Sequence, residues 1–269
     1  MPLLSRLLSL ITPPAALKVP ARIAVLFWVL KLLTTAFGES TSDYLVHNVN
    51  PYFAVMAGFA VFAVAMAIQL RVDRYVPWVY WFAVAMVAVF GTMAADALHV
   101  ALHVPYIASS ILFASALVAV FWGWSRTEPT LSIHSITTVR RELFYWAAVL
   151  ATFAMGTALG DLVAYTFGFG FLAAGILFAI LFALPGVAFF GLRINSVFAF
   201  WAAYVMTRPL GASFADWTGK QGHGALGWGD GPVAGVLLVL MVAGVVYLTV
   251  NRGGSTAAAL EPSLADEAA

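Results

Sequence analysis

FWVLKLLTTAFGESTSD, residues 27–43, returns three more times along the chain: YWFAVAMVAVFGTMAAD at 80–96, YWAAVLATFAMGTALGD at 145–161 and FWAAYVMTRPLGASFAD at 200–216. Each copy has an aromatic residue, a tryptophan, then at fixed spacing a glycine, a small residue and an aspartate. The columns are Trp28/Gly38/Ser42/Asp43, Trp81/Gly91/Ala95/Asp96, Trp146/Gly156/Gly160/Asp161 and Trp201/Gly211/Ala215/Asp216. Five agreeing columns, two of them built from infrequent residues, make this a fourfold internal repeat.

The surroundings of the repeat are apolar. The chain is 63% hydrophobic and 9% charged, with mean hydropathy +0.96. A soluble domain carries about 25% charge. Eight apolar runs of bilayer length occur at 23–46, 52–70, 76–101, 105–124, 142–166, 169–191, 194–217 and 232–250. The pattern predicts an all-α polytopic membrane protein. Its eight transmembrane helices form four parallel two-helix repeats with pseudo-fourfold symmetry, the odd helices making an inner ring.

The divisions follow: an interfacial lead-in at 1–22, repeats at 23–74, 75–126, 142–193 and 194–251, a cytoplasmic linker at 127–141 and a disordered tail at 252–269. Arg6, Lys18, Arg22, Arg71, Arg74, Arg126, Arg140, Arg141, Arg193 and Arg252 fall on one side of this arrangement, against Lys220 alone on the other. Positive charge stays inside, which predicts a bacterial inner membrane protein with both termini cytoplasmic. Segment 3–11 stops at Pro13-Pro14 without a cleavage region and so does not read as a signal peptide. With no cysteine there is no disulfide, thiolate metal site or dithiol.

Polarity separates the helices. The even ones, such as 232–250, hold no ionisable residue and suit lipid on every side. Helix 1, read back from its aspartate in steps of four, is Asp43, Glu39, Thr35, Lys31, a wholly polar stripe. The equivalent rows are Asp96, Thr92, Ala88, Val84; Asp161, Thr157, Phe153, Val149; and Asp216, Ala212, Arg208, Tyr204. Such stripes belong against protein or water. At about 1.5 Å per residue the aspartates lie about 30 Å from the basic flank, at the external mouth. The tryptophans fall at the opposite interface and read as an aromatic belt. The glycines read as close-packing positions.

A ring of carboxylates attracts and selects cations. Asp43, Asp96, Asp161 and Asp216 are therefore the candidate transport path, continued inward by Glu39, Lys31, Thr34, Thr35 and Arg208. An Arg208–Glu39 or a Lys31–Glu39 pair would neutralise the internal charges. Four histidines follow the aspartates: His47, His99, His103 and His223. Together with Asp43, Asp96 and Asp216 they make a candidate divalent-metal site, imidazole plus carboxylate suiting zinc, manganese, iron, nickel or copper, whereas carboxylates alone suit magnesium or calcium. The expected partners are the lipid bilayer, a metal cation as substrate and a second copy in a homo-oligomer; nucleic acid and a resident cofactor are not expected.

The stretch KVPARIAVLFWVLKLLTTAFGESTSDYLV, residues 18–46, resembles the bacterial integral membrane proteins known as "predicted membrane-anchored protein". The matching residues are Lys31, Thr34, Thr35, Gly38, Glu39 and Asp43. The resemblance implies the eight-span topology and gives weight to helix 1; it implies no activity.

Function so read is a cation transporter rather than an enzyme. Two other classes stand beside it. One is a structural or sensory membrane protein without transport. The other is an intramembrane zinc hydrolase similar to the alkaline ceramidase group, with Asp96, His99, His103 and His223 holding zinc-bound water. No nucleotide loop, nucleophile elbow or haem motif is visible.

Overall fold

The computed structural model describes residues 16–20, 23 and 25–266, with side chains to Asn251 apart from Val100 and Ala101. Among the described residues there are eight long α-helices and no strand. They are α1 Val25–Asn48, α2 Pro51–Arg71, α3 Pro77–Leu102, α4 Tyr106–Thr127, α5 Val139–Asp161, α6 Gly170–Leu192, α7 Ser196–Gly219 and α8 Asp230–Asp266. The lead-in expected at 1–22 lies outside the described residues except for 16–20. The backbone continues α8 as helix to Asp266, where the sequence reading expected a disordered tail from 252.

Starts and stops follow local chemistry. Asn50 caps α2 through hydrogen bonds from the Tyr52 and Phe53 backbone amides, with Pro51 in the first turn. Asn195 caps α7 in the same way, from Val197 and Phe198. Thr138 accepts from the Arg141 amide at the start of α5. Beyond Asp161 the fifth helix widens into one π-helical turn, Leu162–Thr166. Such turns recur at functional sites.

The odd helices are buried and the even ones are not. In the membrane-length windows of α2, α4, α6 and α8 only 17–22% of residues are buried, against 61% in α3 and 78% in α5. The inner helices close a circuit: α1 packs on α3 and α7, and α5 packs on α3 and α7. The glycine column makes that circuit tight. A methyl on Gly38 would strike Ala88, on Gly91 Phe153, on Gly156 Arg208, and on Gly211 Thr35. Each glycine thus meets the next inner helix, the fourth returning to the first.

The outer helices lean the same way. α2 packs chiefly on α3, α4 on α5, α6 on α7 and α8 on α1. The sequence reading made each repeat a helix pair with its second helix outside the ring. Each outer helix packs mainly on the inner helix of the following repeat, and α8 on α1 closes the ring. An apolar outer helix gains nothing from its own partner that a neighbouring groove does not also offer, so packing shape decides.

Six helices are long and apolar enough to cross a membrane. The two that fall short, α1 and α7, carry Lys31, Glu39, Asp43, Arg208 and Asp216, all buried within the ring. The tryptophan column corrects a second expectation. Trp81, Trp146 and Trp201 are buried, and only Trp28 is partly exposed. They form no lipid-facing belt; with Phe27, Tyr80, Tyr145, Phe200 and Tyr204 they fill the ring's interior in tilted and edge-to-face contacts at 5.1–6.5 Å. The outer helices already occupy the lipid surface, so the large rings at inner-helix positions become core.

Candidate functional site

The polar stripe of α1 faces inward as its periodicity requires. Lys31 and Thr35 are fully buried, Glu39 and Asp43 nearly so. At the level of Glu39 the ring is tied by one side chain. Arg208 on α7 donates to the Glu39 carboxylate on α1 and to the hydroxyls of Thr92 on α3 and Thr157 on α5, and its Nη1 reaches the Thr35 carbonyl at 3.3 Å. A planar guanidinium with several donors suits this task. All four inner helices meet at this node, and of the two pairings expected for Glu39 it is the one with Arg208 that forms.

Lys31, two turns away, is treated differently. Its ammonium has no hydrogen-bond partner and lies 4.0 Å from the Phe153 ring centre and 4.3 Å from that of Tyr204. The π faces supply partial compensation for a cation removed from water. The Thr34 and Thr35 hydroxyls turn back to the Lys31 and Leu32 carbonyls of their own helix. Of the two residues only the Thr35 carbonyl reaches the node.

One turn beyond Glu39, Thr92 and Thr157 the repeated aspartates gather. Asp43, Asp161 and Asp216 are buried and Asp96 is half-buried. Asp96 feels the charges of Glu39, Asp43 and Asp161, and Asp161 those of Glu39 and Asp43. Lys220, just past the end of α7, enters this acidic space. Its Nζ lies 3.0 Å from Asp43 Oδ2 and 3.0 Å from Asp216 Oδ1. In both contacts the attraction is that of an ammonium for a carboxylate. Burial opposes the lysine's charge, yet Asp216, Asp43, Asp161 and Glu39 together hold its pKa well above the ordinary lysine range. Its side chain keeps 21% exposure, so the cluster communicates with solvent at this end.

The loop that carries Lys220 is shaped by glycine. Gly222, Gly224, Gly227 and Gly229 all have positive φ, and the strand of loop folds back so that the Leu226, Trp228 and Gly229 amides reach the Trp217, Thr218 and Gly219 carbonyls. On the two helices that carry Asp43 and Asp216, the buried hydroxyls of Ser40, Ser42 and Ser213 make no hydrogen bond.

The histidines do not join it. His47 turns its Nδ1 to the Asp43 backbone carbonyl at 2.7 Å. His99 binds the Val104 carbonyl at 2.7 Å and stacks on Tyr106. The third, His103, ends α3 in a left-handed conformation and is exposed, and His223 sits in the glycine loop against Tyr165 and Phe171. Helix 3 stops before its i+7 face can extend to His103. Among the described residues the one group of three metal-ligating side chains is Glu39, Asp43 and Asp216, whose oxygens lie within 4.8 Å of one another. The mixed aspartate–histidine site, and with it the triad of histidines a zinc hydrolase would use, is not assembled.

Three features escaped the sequence reading. Lys220 was counted only as a topological exception, although its i+4 distance from Asp216 was there to be read. The second is the Tyr80–Tyr145 hydroxyl contact at 2.5 Å within the aromatic layer. The third lies at the basic end, where Glu142 is fully buried and binds Lys18 and Gln69. No curated protein and no solved structure matches this chain. A family model matches it four times, at 26–75, 79–130, 144–194 and 199–253, covering the four repeats. The chain therefore belongs to the family described as Repeat of Unknown Function (DUF347).

Proposed function

We infer that the protein is a membrane cation transporter, a gated carrier rather than an open pore, whose substrate is a hard divalent cation. The observation that carries this reading is Lys220 suspended 3.0 Å from both Asp43 and Asp216, with Glu39 in the same group of oxygens. A solvent-accessible ammonium held in a carboxylate cage is a tethered stand-in for a passing cation. An all-oxygen set favours magnesium, calcium or manganese over zinc or copper. Inward of the cage, Arg208 and Lys31 oppose passive cation flow, and the aromatic layer fills the axis. A carrier open toward the aspartates and closed toward the tryptophans fits this sequence of layers.

The same reading takes all eight helices as spans, since the charges that make α1 and α7 less apolar face the ring and not lipid. Head-to-tail glycine contacts support a pseudo-fourfold axis along the membrane normal. The basic end, with Lys18, Arg71, Arg74, Arg126, Arg140, Arg141 and Arg193, is then cytoplasmic with both termini, in a bacterial inner membrane as the resemblance implies.

Proteoliposomes loaded with a divalent-sensitive dye test the reading with Mg²⁺, Ca²⁺ and Mn²⁺. Wild type takes up at least one of them, and Asp216→Asn slows uptake at least tenfold while keeping its gel-filtration profile. Asp161→Asn, outside the trio, slows it less. No flux of any cation through wild type would replace transport by the structural or sensory reading, which the filled aromatic layer favours.

A further inference from the structure

The opposite end of the ring holds a second carboxylate whose one ion-pair partner among the described residues is also a lysine from outside the inner helices. Glu142, in the first turn of α5, has no solvent exposure. Its Oε2 accepts from Lys18 Nζ at 2.8 Å; its Oε1 accepts from Gln69 Nε2 at 2.8 Å and from Trp146 Nε1 at 3.5 Å. Lys18 Nζ also points at the Leu70 carbonyl, 3.4 Å away. The ammonium thus faces two oxygens, one carboxylate and one carbonyl, both of a kind that a small hard cation takes as ligands.

The segment that delivers Lys18 is laid in from outside. Residues 16–20 precede α1 and belong to no helix. They are pinned at three backbone points: the Lys18 amide on the Ile136 carbonyl at 3.0 Å, the Tyr75 amide on the Leu17 carbonyl at 2.7 Å, and Gln69 Nε2 on the Lys18 carbonyl at 3.5 Å, a bond that flipping the Gln69 amide gives up. Val19 beside it is 1% exposed. Directly beyond Glu142, one turn along α5, begins the aromatic layer of Tyr145 and Trp146. A buried ion pair gains little over an apolar replacement of equal size. A pair for which an apolar replacement would serve as well, yet which is delivered by a separate segment to the end of the proposed path, calls for another use.

We propose that Glu142, with the Leu70 carbonyl and the Gln69 side-chain oxygen after an amide flip, is a second site for a hard cation at the basic end of the ring, held in this conformation by the ammonium of Lys18. Lys18 and Lys220 are then equivalent devices at the two ends of one path. This rests on the transport reading for its purpose, but its binding chemistry is tested apart from flux.

Lys18→Gln empties the site while leaving Glu142 buried. Purified Lys18→Gln is expected to melt below wild type, and Mg²⁺ at constant ionic strength should return most of that loss. The double variant Lys18→Gln/Glu142→Gln should show only the Mg²⁺ response of wild type. Equal Mg²⁺ responses in the single and double variants would overturn the site and leave a plain structural pair. A second measurement keeps Lys18 in place. The chain has no cysteine, so Val19→Cys gives one buried thiol, and Mg²⁺ should speed its maleimide labelling about tenfold by displacing the segment. An unchanged labelling rate would equally overturn the proposal. Loss of flux in wild-type liposomes, with the Lys18→Gln rescue intact, would instead remove the transport reading alone.

Discussion

The tryptophan end and the aspartate end of the inner ring are built from columns of the same repeat, yet they behave in opposite ways. At the tryptophan end the four aromatic pairs pack on one another and carry no charge that needs neutralising. At the aspartate end four equivalent carboxylates share one lysine: Lys220 reaches Asp43 and Asp216, while no ion pair among the described residues reaches Asp96 or Asp161. Aromatic rings gain by gathering. Four like charges do not, and residues that differ between the repeats intervene, which makes this end asymmetric. Glu39 and Lys31 in the first repeat, and Arg208 and Lys220 in the last, supply that asymmetry, and α1 and α7 are neighbours in the ring.

The boundary between these two regimes is Arg208, and removing it breaks the comparison most severely. Arg208→Met leaves Glu39 buried without its cation and strands the hydroxyls of Thr92 and Thr157. Loss of one partner from a buried pair costs about 3–5 kcal/mol. Denaturation in mild detergent should show this, and Arg208→Lys should not restore it, because a single ammonium cannot reproduce the fork. The double variant Glu39→Gln/Arg208→Met should recover much of the loss. If Arg208→Met were as stable as wild type, the node would not be what holds the four helices in register.

Much of this was legible in the sequence. Repetition, apolar length and the polar stripe on helix 1 gave the eight helices, the inner and outer sorting and the inward-facing aspartates. The Arg208–Glu39 pair was one of two options because both cations have the length to reach. What stayed illegible depends on shape. Four outer helices with nearly uniform apolar surfaces do not encode which groove they fill, so their lean onto the next repeat had no sequence signal. Histidine spacing suggested convergence only while α3 was imagined to continue; its left-handed end at His103 turns the ring outward. Trp81 and Trp146 looked interfacial by depth, because depth alone does not say whether a side chain points to lipid or to the axis.

A milder test concerns the glycines that let the ring close on both regimes alike. A methyl at Gly38 would overlap Ala88, including its backbone, and a helix backbone yields only by moving the helix. Gly38→Ala should cost about 1–3 kcal/mol, the range for overpacking. Gly186→Ala on α6 meets nothing within 4 Å. It should stay within about 0.5 kcal/mol of wild type, as substitutions away from packed features do. Equal thermal shifts for the two would mean that the inner helices have slack, and the tight circuit would lose its support.

The smallest expected effect lies outside the ring, at the tryptophan end, where the linker after α4 is clasped to the start of α5. Glu128 accepts from Arg140 Nε at 2.6 Å and Arg141 Nε at 2.7 Å, and Arg141 also binds the Ser135 carbonyl at 2.8 Å. Hydrogen bonds from Arg141 and then Arg140 lower the Glu128 pKa below the ordinary glutamate value. A folded-state pKa that is depressed stabilises the native protein above the unfolded value and stops doing so as pH falls through the folded one. Arg140 is largely solvent-exposed, 67% at the side chain, so screening keeps the effect small. Glu128→Gln should therefore melt slightly below wild type at neutral pH. The gap should narrow as pH drops below the usual glutamate range and close once wild-type Glu128 is itself protonated. High salt at neutral pH should shrink the same gap. A gap that held constant through acid and salt would show that the clasp works through shape, as the aromatic layer beside it does, and that charge governs only the aspartate end.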